Sequence, residues 1–148
     1  MTSDLTEHMG YWLRFVSNHV SQAFARKVEA RGVTVAEWVI LRQLFDTDAV
    51  PPSHLADQIG MTRGAITKLA DRLVAKSLIV RKADESDGRA QTLALTAKGR
   101  KLTPQLAALA DLNDAEFFDH LTPKDREAFK SVLKGIVKRR GLKSLPVE

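Results

Sequence analysis

The stretch 61-MTRGAITKLADRLVAKSLIVRKADESDGRAQTLALTAKGRK-101 reads as one amphipathic helix followed at once by a two-stranded basic ribbon. In its first half Ile66, Leu69, Ala70, Leu73 and Val74 recur at i, i+3, i+4, i+7 and i+8, the spacing that lines one face of an α-helix. Stepping about 100° per residue puts Gly64, Lys68, Asp71 and Arg72 roughly opposite that stripe. Thr62 stands where an N-cap hydroxyl satisfies the first free amides. Downstream, the apolar runs Leu78-Ile79-Val80 and Leu93-Ala94-Leu95 flank Arg81, Lys82, the cluster Asp84-Glu85-Ser86-Asp87-Gly88 and Arg89. An Asp-Gly pair between two such runs signals a hairpin, because glycine tolerates the positive φ of a tight turn; Arg89 then projects from near its tip.

Charge sharpens this reading. Residues 61–101 hold ten Lys or Arg against four Asp or Glu, whereas the remainder holds thirteen against fourteen. The net charge of +5 and the pI near 9.7 favour a polyanionic partner, nucleic acid first. A helix with a small, cationic outer face fits a major groove, and an arginine on a thin ribbon reaches phosphates or a narrow minor groove. Taken singly, each segment is an ordinary amphipathic helix or hairpin; together, with the localised charge, they point to DNA.

With 148 residues, 44% hydrophobic and 28% charged, the chain suits one globular domain with a real core and leaves no room for a separate catalytic domain. It contains no apolar run long enough to span a bilayer, and its first residues, MTSDLTEHMG, lack a cationic start followed by an apolar core, so a cytoplasmic protein is expected. The absence of cysteine rules out disulfides, thiolate zinc sites and thiol redox switches. His8, His19, His54 and His120 are scattered, without metal-ligand spacing. Neither a phosphate-cradling glycine loop nor a nucleophile elbow occurs, so no catalytic residue, metal or cofactor is assigned and no enzyme is expected.

Before the central stretch, Trp12, Val16, Val20, Ala23, Phe24 and Val28 predict one long helix over about residues 5–29. Its apolar arc, widened by Leu13 and Phe15, is broader than one small domain needs, which points to a second copy of the chain. Arg31-Gly32 supplies the stop. Thr34-Val35-Ala36-Glu37 is a capping box opening a helix to about Phe45, broken by Asp46-Thr47-Asp48 and Pro51-Pro52. Ser53 is expected to cap a short helix with Leu55, Ala56 and Ile59, which Gly60 ends. That helix and the next form a helix-turn-helix arrangement. Beyond the hairpin, Thr96 caps a helix with Leu102, Leu106, Leu109 and Leu112, running to about Phe118; Pro104 predicts a kink or a later start. Thr122-Pro123-Lys124-Asp125 opens a last helix carrying Phe129, Val132, Leu133 and Ile136, and Lys138, Arg139 and Arg140 close it against the negative end of its dipole.

In this order of elements the chain resembles the MarR family of bacterial winged-helix transcription regulators along essentially its whole length. The resemblance is carried by Leu55-Ala56 with Ile59-Gly60, by Ile66-Thr67 and Leu69-Ala70-Asp71-Arg72-Leu73, and by Asp87-Gly88-Arg89 followed by Leu93-Ala94-Leu95-Thr96 and Lys98-Gly99. It implies a mainly α (α+β) fold: a winged helix-turn-helix at 33–99, continuous with long N- and C-terminal dimerisation helices within 1–32 and 100–148. It further implies a homodimer on a pseudo-palindromic double-stranded operator, with half-sites roughly 10 bp apart centre to centre. Carried over by position, Thr62, Arg63, Gly64, Thr67 and Lys68 face bases or nearby phosphates, Arg72 holds the backbone, and Arg89 is the wing-tip contact. Asp87 orients Arg89 or stabilises the turn. A repressor of transcription is expected, released by a small aromatic acid held against Trp12, His19 and Trp38, whose rings suit stacking and hydrogen bonding to an aromatic carboxylate. The competing readings are a non-specific architectural DNA binder and a helical protein–protein adaptor.

Two departures stand out. Ser77 occupies a place where many relatives have glycine, so this helix end is expected to adopt another cap. The turn carries Asp84, Glu85 and Asp87 before a single Arg89, which argues against deep, multi-arginine insertion into a minor groove.

Overall fold

The structure, a computed structural model of the chain, describes residues 1–84 and 90–143. Six helices and one hairpin follow in the order α1 (Met9–Glu29), α2 (Val35–Phe45), α3 (Pro52–Ile59), α4 (Arg63–Ala75), β1 (Ile79–Ala83), β2 (Gln91–Leu95), α5 (Ala97–Phe118) and α6 (Pro123–Arg140).

Side-chain caps place most of these boundaries. Thr34 Oγ1 accepts from the Glu37 amide at 3.1 Å, while the Thr34 amide donates to Glu37 Oε1 at 2.8 Å. Thr62, Thr96 and Thr122 accept in the same way from Ala65, Gly99 and Asp125. At the other ends Gly32, Gly60 and Gly141 take φ of +83°, +80° and +62°, a left-handed turn that glycine enters without a Cβ clash.

The core is built where α1, α2, α3, α4, α5 and the hairpin converge. Val28, Ile40, Leu41, Leu44, Leu55, Ile66, Leu73, Ile79, Leu93 and Leu106 are all buried there. The hairpin is antiparallel with Ile79 opposite Leu95 and Ala83 opposite Gln91. Val50, in the α2–α3 loop, adds a bridge to Leu93, with both N–H···O bonds formed at 2.9 and 2.8 Å. This places α3 and α4 as a helix-turn-helix beside a small sheet, with the long helices α1, α5 and α6 at the chain ends, the winged helix-turn-helix architecture the sequence predicts.

Three local expectations are corrected. The segment 5–29 is not one helix: Leu5–Glu7 forms a single 3-10 turn, His8 is extended, and α1 begins at Met9. Side chains compete for the backbone there, since Trp12 Nε1 donates to the Thr6 carbonyl at 2.8 Å and Glu7 accepts from the Asp4 amide at 3.0 Å. Ser53 does not cap α3, because Pro52 takes the first helical position, where its missing N–H is harmless, and the cap residue is Pro51, with no side-chain bond. Pro104 does not delay α5, which starts directly after Thr96 and continues through the proline.

Candidate nucleic-acid interface

The outer face of α4 is the candidate contact surface. Ile66, Leu69, Ala70 and Leu73 hold the helix to the core, which turns Thr62, Arg63, Gly64, Thr67, Lys68, Asp71 and Arg72 to solvent. No described residue forms an ion pair with Arg63, Lys68 or Arg72, so their charges remain available. Thr67 Oγ1 donates to the Arg63 carbonyl at 3.0 Å, so its hydroxyl offers acceptor capacity and a methyl outward, chemistry suited to exocyclic amines and the thymine methyl. A Cβ built on Gly64 meets nothing within 4 Å. The fold itself therefore does not require glycine there.

Asp71 is an exposed charge on the helix surface, and Arg81 of β1 donates to its carboxylate. The bond removes the one negative charge from the α4 face and joins that helix to the wing. Lys82 is exposed on the same strand, and the Asp84 amide donates to the Ala90 carbonyl at 2.9 Å where the strands part. Asp87 and Arg89 lie outside the described residues.

The C-terminal end of α4 gathers contacts that sequence reasoning missed. Glu37 is fully buried, and its Oε1 accepts from Lys76 Nζ at 2.7 Å as well as from the Thr34 amide. Burial alone would push this carboxyl up, but the Lys76 hydrogen bond, the Thr34 amide, the Lys76 charge and the Thr34 hydroxyl together hold it below its ordinary value. Lys76 also donates to the Gly32 carbonyl at 2.9 Å. Nothing local could have revealed the pair, because Glu37 reads completely as a capping residue and its partner lies 39 positions away.

The three proposed ligand-wall residues are not brought together within one chain. Trp12 and His19 are exposed on α1, with Phe15 stacked on His19 at 5.2 Å between centroids. Trp38 instead packs edge-on against Phe24 at 6.2 Å, twelve residues and about 18 Å further along α1 than Trp12. A crevice of about 210 Å³ lies beside Phe24, lined also by Val20, Val35 and Asn113. Asn113 forms its polar corner: it is buried, donates to the Val20 carbonyl at 3.1 Å, and accepts from Lys27 at 2.9 Å.

Large apolar side chains remain uncovered on the outermost helices. Trp12, Leu13, Phe15 and Val16 of α1 are 42–51% exposed, and α6, which buries no residue, leaves Phe129, Val132, Leu133, Ile136 and Val137 open. Charge is uneven outside 61–101 as well: residues 102–122 carry four acids and no Lys or Arg, whereas 123–143 carry eight bases and two acids. Among the described residues there is no group of acids and histidines able to hold a metal, and no helix is long and apolar enough to cross a membrane.

Comparison with known proteins gives the same assignment. Residues 33–90, the segment that begins just before α2 and stops just before β2, match the model of the MarR family. Over that segment the chain is similar to the MarR family. It is 28% identical over 125 residues to the HTH-type transcriptional repressor Rv2887 of Mycobacterium tuberculosis, covering 84% of this chain and 90% of that one. Two solved structures share the fold. Staphylococcus aureus MepR in a DNA complex superposes with a TM-score of 0.81 at 23% identity, covering 89% of this chain and 98% of that one. CouR from Rhodococcus jostii bound to p-coumaroyl-CoA superposes with a TM-score of 0.80 at 24% identity, covering 91% and 95%.

Proposed function

We propose that this chain is a MarR-type regulator, a homodimeric, sequence-specific DNA-binding repressor of transcription that acts in the cytoplasm and performs no catalysis. The observation that carries the reading is the division of α4 into a buried apolar face and an exposed face of Thr62, Arg63, Gly64, Thr67, Lys68 and Arg72, with three cations unpaired by any described residue. Such a surface supplies phosphate contacts for affinity and short polar groups for base edges. The DNA seen with MepR supports the same use of the same fold.

The dimer joins residues 1–32 and 100–148 of two copies. An 18-residue helix that buries none of its own apolar residues lacks the packing that normally stabilises helices, and a second copy offers the matching uncovered faces of α1 and α6. Two α4 helices related by a two-fold axis then meet successive major grooves of a pseudo-palindromic site. Arg89, between the two strands in sequence, serves as the wing contact, with Asp87 orienting it.

Release follows binding of a small aromatic acid, as the aryl ligand of CouR suggests. The crevice beside Phe24 and Asn113 is the seat, with Trp38 behind Phe24; Trp12 and His19 can join only from elsewhere in the dimer. Footprinting the protein on the DNA upstream of its own reading frame tests the main claim. A protected palindromic site, bound at least about 10³-fold tighter than random DNA at physiological salt, is expected. Equal affinity for both would leave an architectural binder. Quenching of Trp38 fluorescence by phenolic acids, abolished by Phe24→Ala, tests the crevice.

A further inference from the structure

We propose that Glu37 and Lys76 are positioning residues for DNA recognition: a charge couple, Glu37 buried and Lys76 half-buried, that fixes the angle of α4 against α1 and α2, and so aims a helix whose recognition end is otherwise held by apolar contact and by the short turn from α3, where the Met61 amide donates to the Ala56 carbonyl at 3.1 Å. The inference rests on the DNA-binding reading above. Its physical basis is the uneven anchoring of α4. At the C-terminal end Lys76 Nζ bonds the last turn to Glu37 at the start of α2 and to the Gly32 carbonyl at the end of α1. The same end is held from α5, where Lys98 Nζ donates to the Lys76 carbonyl at 3.1 Å and Thr96 Oγ1 to the Ser77 carbonyl at 2.7 Å.

At the N-terminal end the polar bonds of Thr62 and Thr67 stay inside the helix. Ile66 and Leu69 keep that end on the core, but apolar contact is non-directional and tolerates small rotations, whereas a charged hydrogen bond fixes both distance and direction. The helix is about 20 Å long, so a swing of about 10° about its C-terminal end carries Arg63 by about 3 Å, enough to break bonds to base edges. Stability alone does not explain the couple. Glu37 is wholly buried, and its Oε2 has no hydrogen-bond partner among the described residues, an arrangement that an apolar pair would match or improve. Lys76, turned to Gly32 and Glu37, acts on DNA only through α4.

The chain has no cysteine, so Gln22→Cys on α1 and Lys68→Cys on α4 give a spin-labelled pair whose distance reports the α4 angle without DNA. The variants are Lys76→Met, the double Glu37→Gln/Lys76→Met, which leaves no unpaired buried charge if the single variant fails to fold, and Lys76→Arg. In the folded double variant the label distance distribution should widen by about 3 Å, the amplitude set by helix length. Without labels, its operator affinity should fall at least about tenfold while random-sequence affinity and salt slope hold, and Lys76→Arg should restore both readouts. An unchanged distribution, or an unchanged operator-to-random ratio, overturns the proposal. An equal loss on both DNAs with a shallower salt slope also overturns it, since Lys76 would then be a phosphate contact. A parent protein without operator preference would sink the regulator reading instead, and the label distances would still decide whether the couple sets the angle of α4.

Discussion

Arg81 on β1 and Asp71 on α4 are joined by a hydrogen-bonded ion pair, so the wing and the recognition helix are tied along their exposed edges as well as through the core. Both side chains are partly solvated, so the pair adds at most about 1 kcal/mol to stability. Its larger consequence is electrostatic. Asp71→Asn should leave the melting temperature nearly unchanged, free Arg81, and raise affinity for random DNA more than for the operator, with a steeper dependence on salt. Titrations at several salt concentrations check this; a lower random-sequence affinity would show that the pair organises the surface rather than masking charge.

Two glycines make opposite demands. Gly99 lies against the Leu78 backbone so closely that a Cβ would overlap the carbonyl oxygen and stand 3.1 Å from its carbon. Backbone cannot move aside as a flexible side chain can, so Gly99→Ala should destabilise the fold by about 3 kcal/mol. Gly64 faces open space, and Gly64→Ala should stabilise α4 by about 0.5 kcal/mol. If DNA approaches that surface closely, the same substitution should weaken operator binding several-fold. Thermal melts and binding isotherms of the two variants separate a glycine the fold needs from one the ligand needs.

Ser77 resolves the expected change of cap in an unexpected way. It keeps the glycine-like backbone, at φ +61°, while the Leu78 amide bonds back to the Leu73 carbonyl at 3.0 Å. A left-handed non-glycine residue costs about 1–2 kcal/mol, part of which glycine returns as unfolded-chain entropy. Ser77→Gly should therefore raise stability by up to about 1 kcal/mol without altering DNA binding, which denaturant unfolding would measure.

What could be read in advance, and what could not, divides by the range of the interaction. The caps at Thr34, Thr62, Thr96 and Thr122 and the stripe on α4 are local patterns, and the structure carries each of them. The hairpin followed from two apolar runs with turn residues between them, whereas its register, with Ile79 opposite Leu95, did not. The Val50 bridge to Leu93 and the Glu37–Lys76 pair join distant segments through three-dimensional packing, which no spacing encodes. Helical period placed Trp12 and His19 on one face of α1, yet could not say that Trp38 would turn toward Phe24 instead. Ser53 was misjudged because its hydroxyl is a good cap in general, whereas Pro52 had already set where α3 begins.

Acid should act through Glu37. Its carboxyl sits below the ordinary value of 4.5 in the folded protein, because Lys76 and Thr34 outweigh the opposing effect of burial. A group held lower in the folded than in the unfolded state contributes stability that is complete above about pH 4.5 and is lost as pH falls through the folded value. Below that ordinary value the wild type should lose stability more steeply than Glu37→Gln, which has no proton to take up at this site. Denaturant unfolding from near neutrality into that range tests the sign, and parallel curves would remove Glu37 from the acid response.

The uncovered apolar face of α6 gives the most direct test of assembly. Val132 and Ile136 are 61% and 47% exposed in a single chain, and neither meets a residue that would bury it. Covering such a side chain fully contributes about 1.5–3 kcal/mol, so two symmetric copies are enough to decide association. Ile136→Asp removes that contribution twice per dimer and places two carboxylates where water is to be excluded, a further cost of several kcal/mol. Ser131→Asp makes the same change of charge on the opposite side of the helix, about 170° from the centre of the apolar stripe. Sedimentation equilibrium should find Ile136→Asp monomeric where the parent chain and Ser131→Asp are dimers. Operator affinity should fall with it by orders of magnitude, because one α4 cannot hold two half-sites. A dimeric Ile136→Asp would mean that α6 lies outside the interface and that its apolar stripe faces some other partner.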